Sequence, residues 1–158
     1  MEENNYTFAP YSKTLPENSA LYTVEVYKDK EKTELDYKLE SAYSIVDQDA
    51  KEVAVVYCIR QKNIDINNGY ATSQKTAVAF VAISIEERQV LDIYLNQTPY
   101  VNNSYESKVF NGVNDYDYSN NILEADPASI ISGATFSAAG IKTAAQTAYD
   151  IFVSQYAE

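Results

Sequence analysis

The chain has 158 residues, 46% of them hydrophobic and only four each glycine and proline, which is the composition of one folded domain rather than of a disordered or fibrous protein. Its 12 basic and 23 acidic residues give a net charge of -11, which repels a polyphosphate backbone and excludes nucleic acid as an expected partner. The chain has no histidine and one cysteine, Cys58, which excludes an internal disulfide, a cysteine-based metal site and histidine-dependent nucleophilic catalysis, and we expect no metal. An enzyme of this composition would use carboxylates, lysine, tyrosine or a borrowed cofactor, and the cofactor is the favoured route.

The first 19 residues are polar and contain Pro10 and Pro16, so they predict a loop-like lead-in to a single domain at residues 20–158. The longest apolar run, Ala77–Ile83, is far shorter than the roughly 20 residues that a membrane-spanning helix needs. The first residues also lack the basic and apolar regions of a signal peptide. As given, the chain predicts a soluble domain without a targeting segment.

The first strands follow from short runs rich in β-branched and aromatic residues. Leu21–Tyr27 alternates like an edge strand, and the charged run Lys28–Glu34 predicts a solvated turn. Ala42–Val46 and Val53–Ile59 predict a hairpin closed by the polar segment Asp47–Lys51.

A second pair of strands is predicted at Thr76–Ile85 and Val90–Leu95, around the charged turn Glu86–Gln89. Short strands joined by tight turns indicate a mostly antiparallel sheet. Cys58 is predicted to be a small buried side chain of that sheet, and the carboxylates at Glu86 and Glu87 to be solvated.

After the sheet, residues 96–121 are rich in Asn, Tyr, Ser and Asp and predict irregular loops with a short helix near Ser104–Phe110. From about Ser137 to Tyr156 the spacing predicts a helix with one apolar stripe and one polar face. The stripe is Ile141, Ala145, Ala148 and Phe152, and the polar face is Lys142, Gln146 and Asp150. The predicted class is therefore α+β, a twisted antiparallel sheet packed against a C-terminal amphipathic helix.

A turn of small residues, Ile131–Ser137, precedes that helix. Unpaired backbone N–H groups and the helix dipole favour an anion there, and Gly133 and Ala134 allow a phosphate to come close. Ser132, Thr135 or Ser137 can donate a hydroxyl to it. The same residues also fit a simpler structure in which Ser137 caps the helix and Ser132-Gly133 is an ordinary turn.

The segment Ser132-Gly133-Ala134-Thr135, followed by Phe136, Ser137 and an alanine-rich helix, resembles the flavin-attachment signature of the FMN-binding family. That family includes the flavin-carrying subunits of the Rnf complex and of the Na⁺-pumping NADH:quinone oxidoreductase. The resemblance implies that Thr135 can be esterified by the phosphate of FMN.

Two further motifs extend the resemblance over about Ala42–Tyr156. Gly69-Tyr70 before paired strands, and the loop Gln97-Thr98-Pro99-Tyr100 after them, are similar to the family's Gly-Tyr entry and its Glu-Thr-Pro-Gly loop against the isoalloxazine ring. Phe110-Asn111-Gly112 lies between the two flavin motifs. The resemblance implies a ring pocket of Thr98, Pro99, Tyr100 and Phe136.

The function implied by the resemblance is that of an electron-transfer domain in which FMN carries the redox chemistry and no side chain acts as acid or base. The domain would lie on the outer face of a bacterial cytoplasmic membrane, held by an anchor absent from this chain. Its implied partners are membrane redox subunits and a Mg²⁺-dependent flavin transferase.

The chain departs from the family pattern at three positions. Ser129 replaces the Asp that covalently flavinylated members usually carry, and Gln97 and Tyr100 replace the Glu and Gly of the ring loop. Covalent and non-covalent FMN therefore both remain open. The alternative is a binding or structural module of the same fold without a cofactor, whose ligand is a peptide, a glycan or a partner subunit. The sequence contains no motif that supports a hydrolase using catalytic carboxylates.

Overall fold

A computed structural model describes residues 6–16, 19–25, 32–65, 76–97, 112–113, 115–125 and 135–156. These residues form an antiparallel sheet of six strands and a C-terminal helix packed on it, which confirms the α+β class. The elements are β1 Thr7–Pro10, β2 Ser19–Glu25, β3 Lys32–Val46, β4 Glu52–Asp65, β5 Thr76–Ser84, β6 Val90–Gln97, a 3-10 turn Ile122–Glu124, and α1 Thr135–Gln155.

The sheet is a meander of β3, β4, β5 and β6, in which each strand pairs with the next. Two short strands share the outer edge of β3. Strand β2 pairs with its first half, from Ser19 opposite Lys38, and β1 pairs with its second half, from Thr7 opposite Val46. Both halves of that edge of β3 therefore have backbone partners, and the short strands β1 and β2 form the outer edge of the sheet there.

Side chains and positive φ angles define the two predicted hairpin turns. In the β3–β4 turn, Asp47 Oδ1 accepts hydrogen bonds from the backbone of Asp49 and Lys51, both at 2.9 Å, and Ala50 has φ 62°. In the β5–β6 turn, Ser84 Oγ accepts from Glu87 N at 2.9 Å. A side-chain acceptor that replaces a backbone one is the usual reason why Asp and Ser occupy turns.

One face of the sheet forms the core with α1. Alternate residues of β4, Val55, Tyr57 and Ile59, belong to the same buried cluster as the helix. The predicted helix stripe is confirmed, because all four of its residues are 2% exposed or less: Ile141, Ala145, Ala148 and Phe152. Two alanines in this stripe allow the helix backbone to approach the sheet closely.

Three sequence-based expectations about the first half of the chain were wrong. The lead-in contains a strand of the sheet, β1. The predicted turn Lys28–Glu34 is strand from Lys32 onward, and β3 begins there rather than at Ala42. Pairing with β2 on one side and β4 on the other satisfies the backbone of this polar stretch, which outweighs its low strand propensity. Residues 28–31 lie outside the described part of the chain.

The helix also differs from its prediction in two details. It begins at Thr135, two positions before the expected Ser137. Lys142 does not simply face water, because it is half-buried and its Nζ donates to Ala125 O at 2.7 Å, which ties α1 to the segment after the 3-10 turn. The predicted helix near Ser104–Phe110 lies outside the described residues.

Candidate functional site

Two residues of the predicted phosphate site, Thr135 and Ser137, belong to the first turn of α1. Thr135, Phe136 and Ser137 are the first three residues of this 21-residue helix, whose initial N–H groups have no partner within the helix. Ser137 therefore lies inside the helix, so the interpretation of Ser137 as its cap was wrong. Ser132, Gly133 and Ala134 lie outside the described residues, as do the side chains of the first turn.

A hydrogen-bond network fixes the opposite end of α1. Glu52 Oε2, at the start of β4, accepts from Tyr156 OH at 3.0 Å and from Ser12 Oγ at 2.8 Å, and Ser44 Oγ also donates to it. The guanidinium of Arg88, in the β5–β6 turn, donates to Tyr156 O at 2.7 Å. The C-terminal end of the helix is thus held where β4 and β6 begin.

The helix start consequently lies toward the other end of the sheet. A 21-residue helix is about 30 Å long, and α1 also contacts β2, which pairs with the first half of β3. The last residue of β6, Gln97, also lies toward that end of the sheet. Gln97 is paired with Val78, Val78 with Arg60, and Arg60 with Lys38 in the first half of β3.

Gln97 and Thr135 border the two predicted flavin segments, and the fold brings both toward one end of the molecule. Thr98, Pro99 and Tyr100 follow Gln97 directly but are outside the described residues. Of the predicted ring-pocket residues, the structure therefore places only the backbone of Phe136, at the start of α1.

A second candidate site, which we call the open-face groove, lies on the face of the sheet opposite to α1. Its volume is about 630 Å³. All of its lining residues come from strands: Phe8, Tyr43, Ile45, Val56, Phe80, Ala82, Asp92 and Tyr94. A concave surface of this size, lined mainly by apolar and aromatic side chains, is typical of a ligand site.

The register of the sheet explains the shape of the groove. Val56 and Ala82 are paired at its centre and form a low floor. Tyr43 is paired with Val56 on one side of that floor, and Asp92 is paired with Ala82 on the other. The Phe80–Tyr94 pair, with ring centroids 6.0 Å apart, lies in the next cross-strand row on the same face. Small side chains between large aromatic ones therefore produce a trough across the middle of the sheet.

The aromatic walls are open to solvent, since Phe8 is 72% exposed and Tyr94 is 62% exposed. Sequence reasoning missed this groove because Phe8 lies in the segment that was predicted to be a loop-like lead-in. The signal was that β4 carries apolar residues on both faces, as in Val55 and Val56, although one amphipathic helix was predicted to pack against the sheet.

Asp92 is the charged residue of the groove lining. Its carboxylate is exposed, and Oδ1 accepts from Ile93 N at 2.8 Å. Over the described ranges the observed ion pair joins Glu40 and Arg60, and Asp92 has none. The hydrogen bond from Arg60 lowers the pKa of the Glu40 carboxyl.

Burial disfavours the ionised form of two titratable side chains in the core. Burial raises the pKa of the Cys58 thiol, and Cys58 is buried in β4 as predicted. Burial also raises the pKa of Tyr57, whose hydroxyl lies 2.9 Å from that of Tyr11. Neither residue is a nucleophile at neutral pH.

Within the described ranges, no three acidic or cysteine side chains are placed to hold a metal ion. The same ranges include no helix with the length and apolar character needed to cross a membrane.

Comparisons of the chain with protein-family models, with curated proteins and with solved structures give no match. The resemblance to the FMN-binding family therefore depends on the motif residues themselves.

Proposed function

We propose that this protein is an extracytoplasmic electron-transfer domain that carries FMN, bound covalently through Thr135 or non-covalently at the same helix start. The observation that carries the proposal is the position of Thr135 as the first residue of a 21-residue helix, directly after Ser-Gly-Ala. The free N–H groups and the dipole of such a helix stabilise a phosphate.

The direction of β6 supports the same proposal. Because β6 ends and α1 begins toward one end of the sheet, a flavin with its phosphate at Thr135 has its ring near the segment after Gln97. In this proposal Ser132, Gly133, Ala134 and Ser137 complete the phosphate site, and Thr98, Pro99, Tyr100 and Phe136 surround the ring. FMN supplies the redox chemistry, while the protein positions it and limits its contact with water.

The proposed partners are membrane redox subunits that deliver or accept electrons, and a flavin transferase where the attachment is covalent. The proposed location is the outer face of a bacterial cytoplasmic membrane. Both follow from the family resemblance and are proposed only if the protein carries FMN.

A Thr135→Ala variant tests the attachment point. Produced together with a flavin transferase and FAD, the wild-type protein should gain the mass of one FMN less water, and Thr135→Ala should not. Thr14→Ala is the control, because it removes a threonine hydroxyl from the exposed N-terminal segment and should leave the modification unchanged. Full modification of Thr135→Ala would move the attachment to another residue.

The second candidate is a binding module of the same fold without flavin, and the open-face groove is the observation that favours it. Protein that stays colourless and unmodified, and fails to bind added FMN, would support this candidate over the first.

A further inference from the structure

The open-face groove combines aromatic walls with one negative charge. Tyr43, Phe80 and Tyr94 line it, and Asp92 is paired across the strands with Ala82 of its floor. Among the residues that the structure describes, no lysine or arginine lines the groove. Aromatic faces and a carboxylate both attract a positive charge, since the face of a ring carries negative charge density.

The charge of the whole chain acts in the same direction. A net charge of -11 raises the local concentration of cations and repels anions. A second copy of the chain would bring two strongly acidic surfaces together, with the Asp92 carboxylates in the interface. A neutral apolar ligand would cover Asp92 without pairing it, which costs free energy.

We propose that the open-face groove binds an organic cation, in which a positively charged centre is attached to an apolar or aromatic body. The body lies on the floor of Val56 and Ala82 between Tyr43 and the Phe80–Tyr94 pair. The positive centre lies beside Asp92. The proposal does not require FMN, because the groove lies on the face of the sheet opposite to α1.

Two probe ions of the same shape and opposite charge separate this proposal from simple hydrophobic binding. Tetraphenylphosphonium and tetraphenylborate are titrated into flavin-free protein by calorimetry. Tetraphenylphosphonium should bind at least about tenfold more tightly than tetraphenylborate, because both the aromatic rings of the groove and the Asp92 carboxylate attract a positive charge. Equal affinity for the two ions, or tighter binding of tetraphenylborate, would overturn the proposal, as would no binding of either.

The location is tested with Asp92→Asn, which keeps the acceptor for Ile93 N and removes the charge. The preference for the phosphonium ion should fall about two- to fivefold, the usual range for an exposed charge pair. Asp49→Asn in the β3–β4 turn is the control, because it changes the net charge equally at an exposed site outside the groove. An equal loss in both variants would mean that net charge alone attracts the cation.

Amide chemical shifts provide a readout that is independent of affinity. The phosphonium ion should shift the signals of Val56, Phe80 and Ala82, and Tyr94→Ala should weaken the binding of both ions. Shifts confined to α1 or to the β3–β4 turn would contradict the assignment. None of these outcomes depends on whether the protein takes up FMN, so failure of one proposal is distinguishable from failure of the other.

Discussion

Tyr57 lies in the middle of β4 with no exposed surface, and its hydroxyl pairs with that of Tyr11. Tyr11 in turn donates to Gln155 near the end of α1, so one buried hydroxyl links the sheet, the N-terminal segment and the helix. Burial, and after it the hydrogen bond with Tyr11, raises the pKa of Tyr57 above its ordinary value of 10.0. The folded protein therefore keeps this phenol neutral where the unfolded chain ionises it.

The sign of the pH dependence follows from this difference. A group that is ionised in the unfolded state and protonated in the folded state gives full stability below pH 10, and that stability is lost as the pH rises further. Each such tyrosine lowers the free energy of unfolding by about 1.4 kcal/mol per pH unit above about pH 10.

We expect Tyr57→Phe to lower the free energy of unfolding at pH 7 by about 0.5–1.5 kcal/mol, because the hydrogen bond with Tyr11 is lost. Above about pH 10 the variant should lose stability less steeply than the wild type, by the slope of one tyrosine. Urea unfolding at several pH values measures both effects. Tyr94→Phe, at an exposed position, is the control and should leave the slope unchanged.

At the scale of elements, three hydroxyl groups on one carboxylate hold the N-terminal segment, the sheet and the end of α1 together. Glu52 accepts from Ser12, Ser44 and Tyr156, which come from three different parts of the chain. This network determines where α1 ends, and therefore toward which end of the sheet its first turn lies.

Glu52→Gln should lower the free energy of unfolding by about 1–3 kcal/mol, because an amide cannot accept all three bonds and its charge is lost. Urea denaturation at neutral pH measures the change. Glu86→Gln, at an exposed position in the β5–β6 turn, should change stability by less than about 0.5 kcal/mol. Equal effects of the two variants would mean that the network contributes nothing beyond its charge.

The close approach of α1 to the sheet depends on its alanines. Ala148 has no exposed surface, so Ala148→Leu should lower the free energy of unfolding by about 1–3 kcal/mol through overpacking. Thermal unfolding followed by circular dichroism measures the loss. Ser154→Leu adds a similar side chain to an exposed position of the same helix and should change stability by less than about 0.5 kcal/mol.

The elements that were predicted correctly are those that local pattern determines. The run of β-branched and aromatic residues in Val53–Ile59 and the spacing of Ile141, Ala145 and Ala148 identify a strand and a helix without knowledge of their neighbours. The first half of β3 and the short strand β1 were missed, because pairing with distant strands stabilises them against their own composition.

Of the two candidate sites, one depends on a local sequence pattern and the other on how distant strands pair. The helix start at Thr135 could be predicted to within two residues, since small residues and a helical pattern adjoin there. Apolar residues on both faces of β4 indicate an uncovered apolar surface, but the position and shape of the open-face groove could not be predicted, because the period of a strand does not show which face a helix covers.

At the scale of the whole molecule, the dominant feature is the net charge of -11. Charges of one sign repel each other more in the compact state than in the unfolded chain, and salt screens this repulsion. The melting temperature should therefore rise when sodium chloride is raised from about 0.01 M to about 0.15 M. A double variant Asp49→Asn/Glu87→Gln should show a smaller rise, and a melting temperature that falls with salt would contradict this prediction.

The most direct test of the flavin proposal is intact mass combined with a visible absorption spectrum of the wild-type protein. The protein is produced with and without a flavin transferase and FAD, and the unmodified sample is then titrated with free FMN. We expect a yellow protein heavier by one FMN less water, or an unmodified protein that binds one equivalent of FMN. A colourless protein of unmodified mass that does not bind added FMN would contradict the proposal.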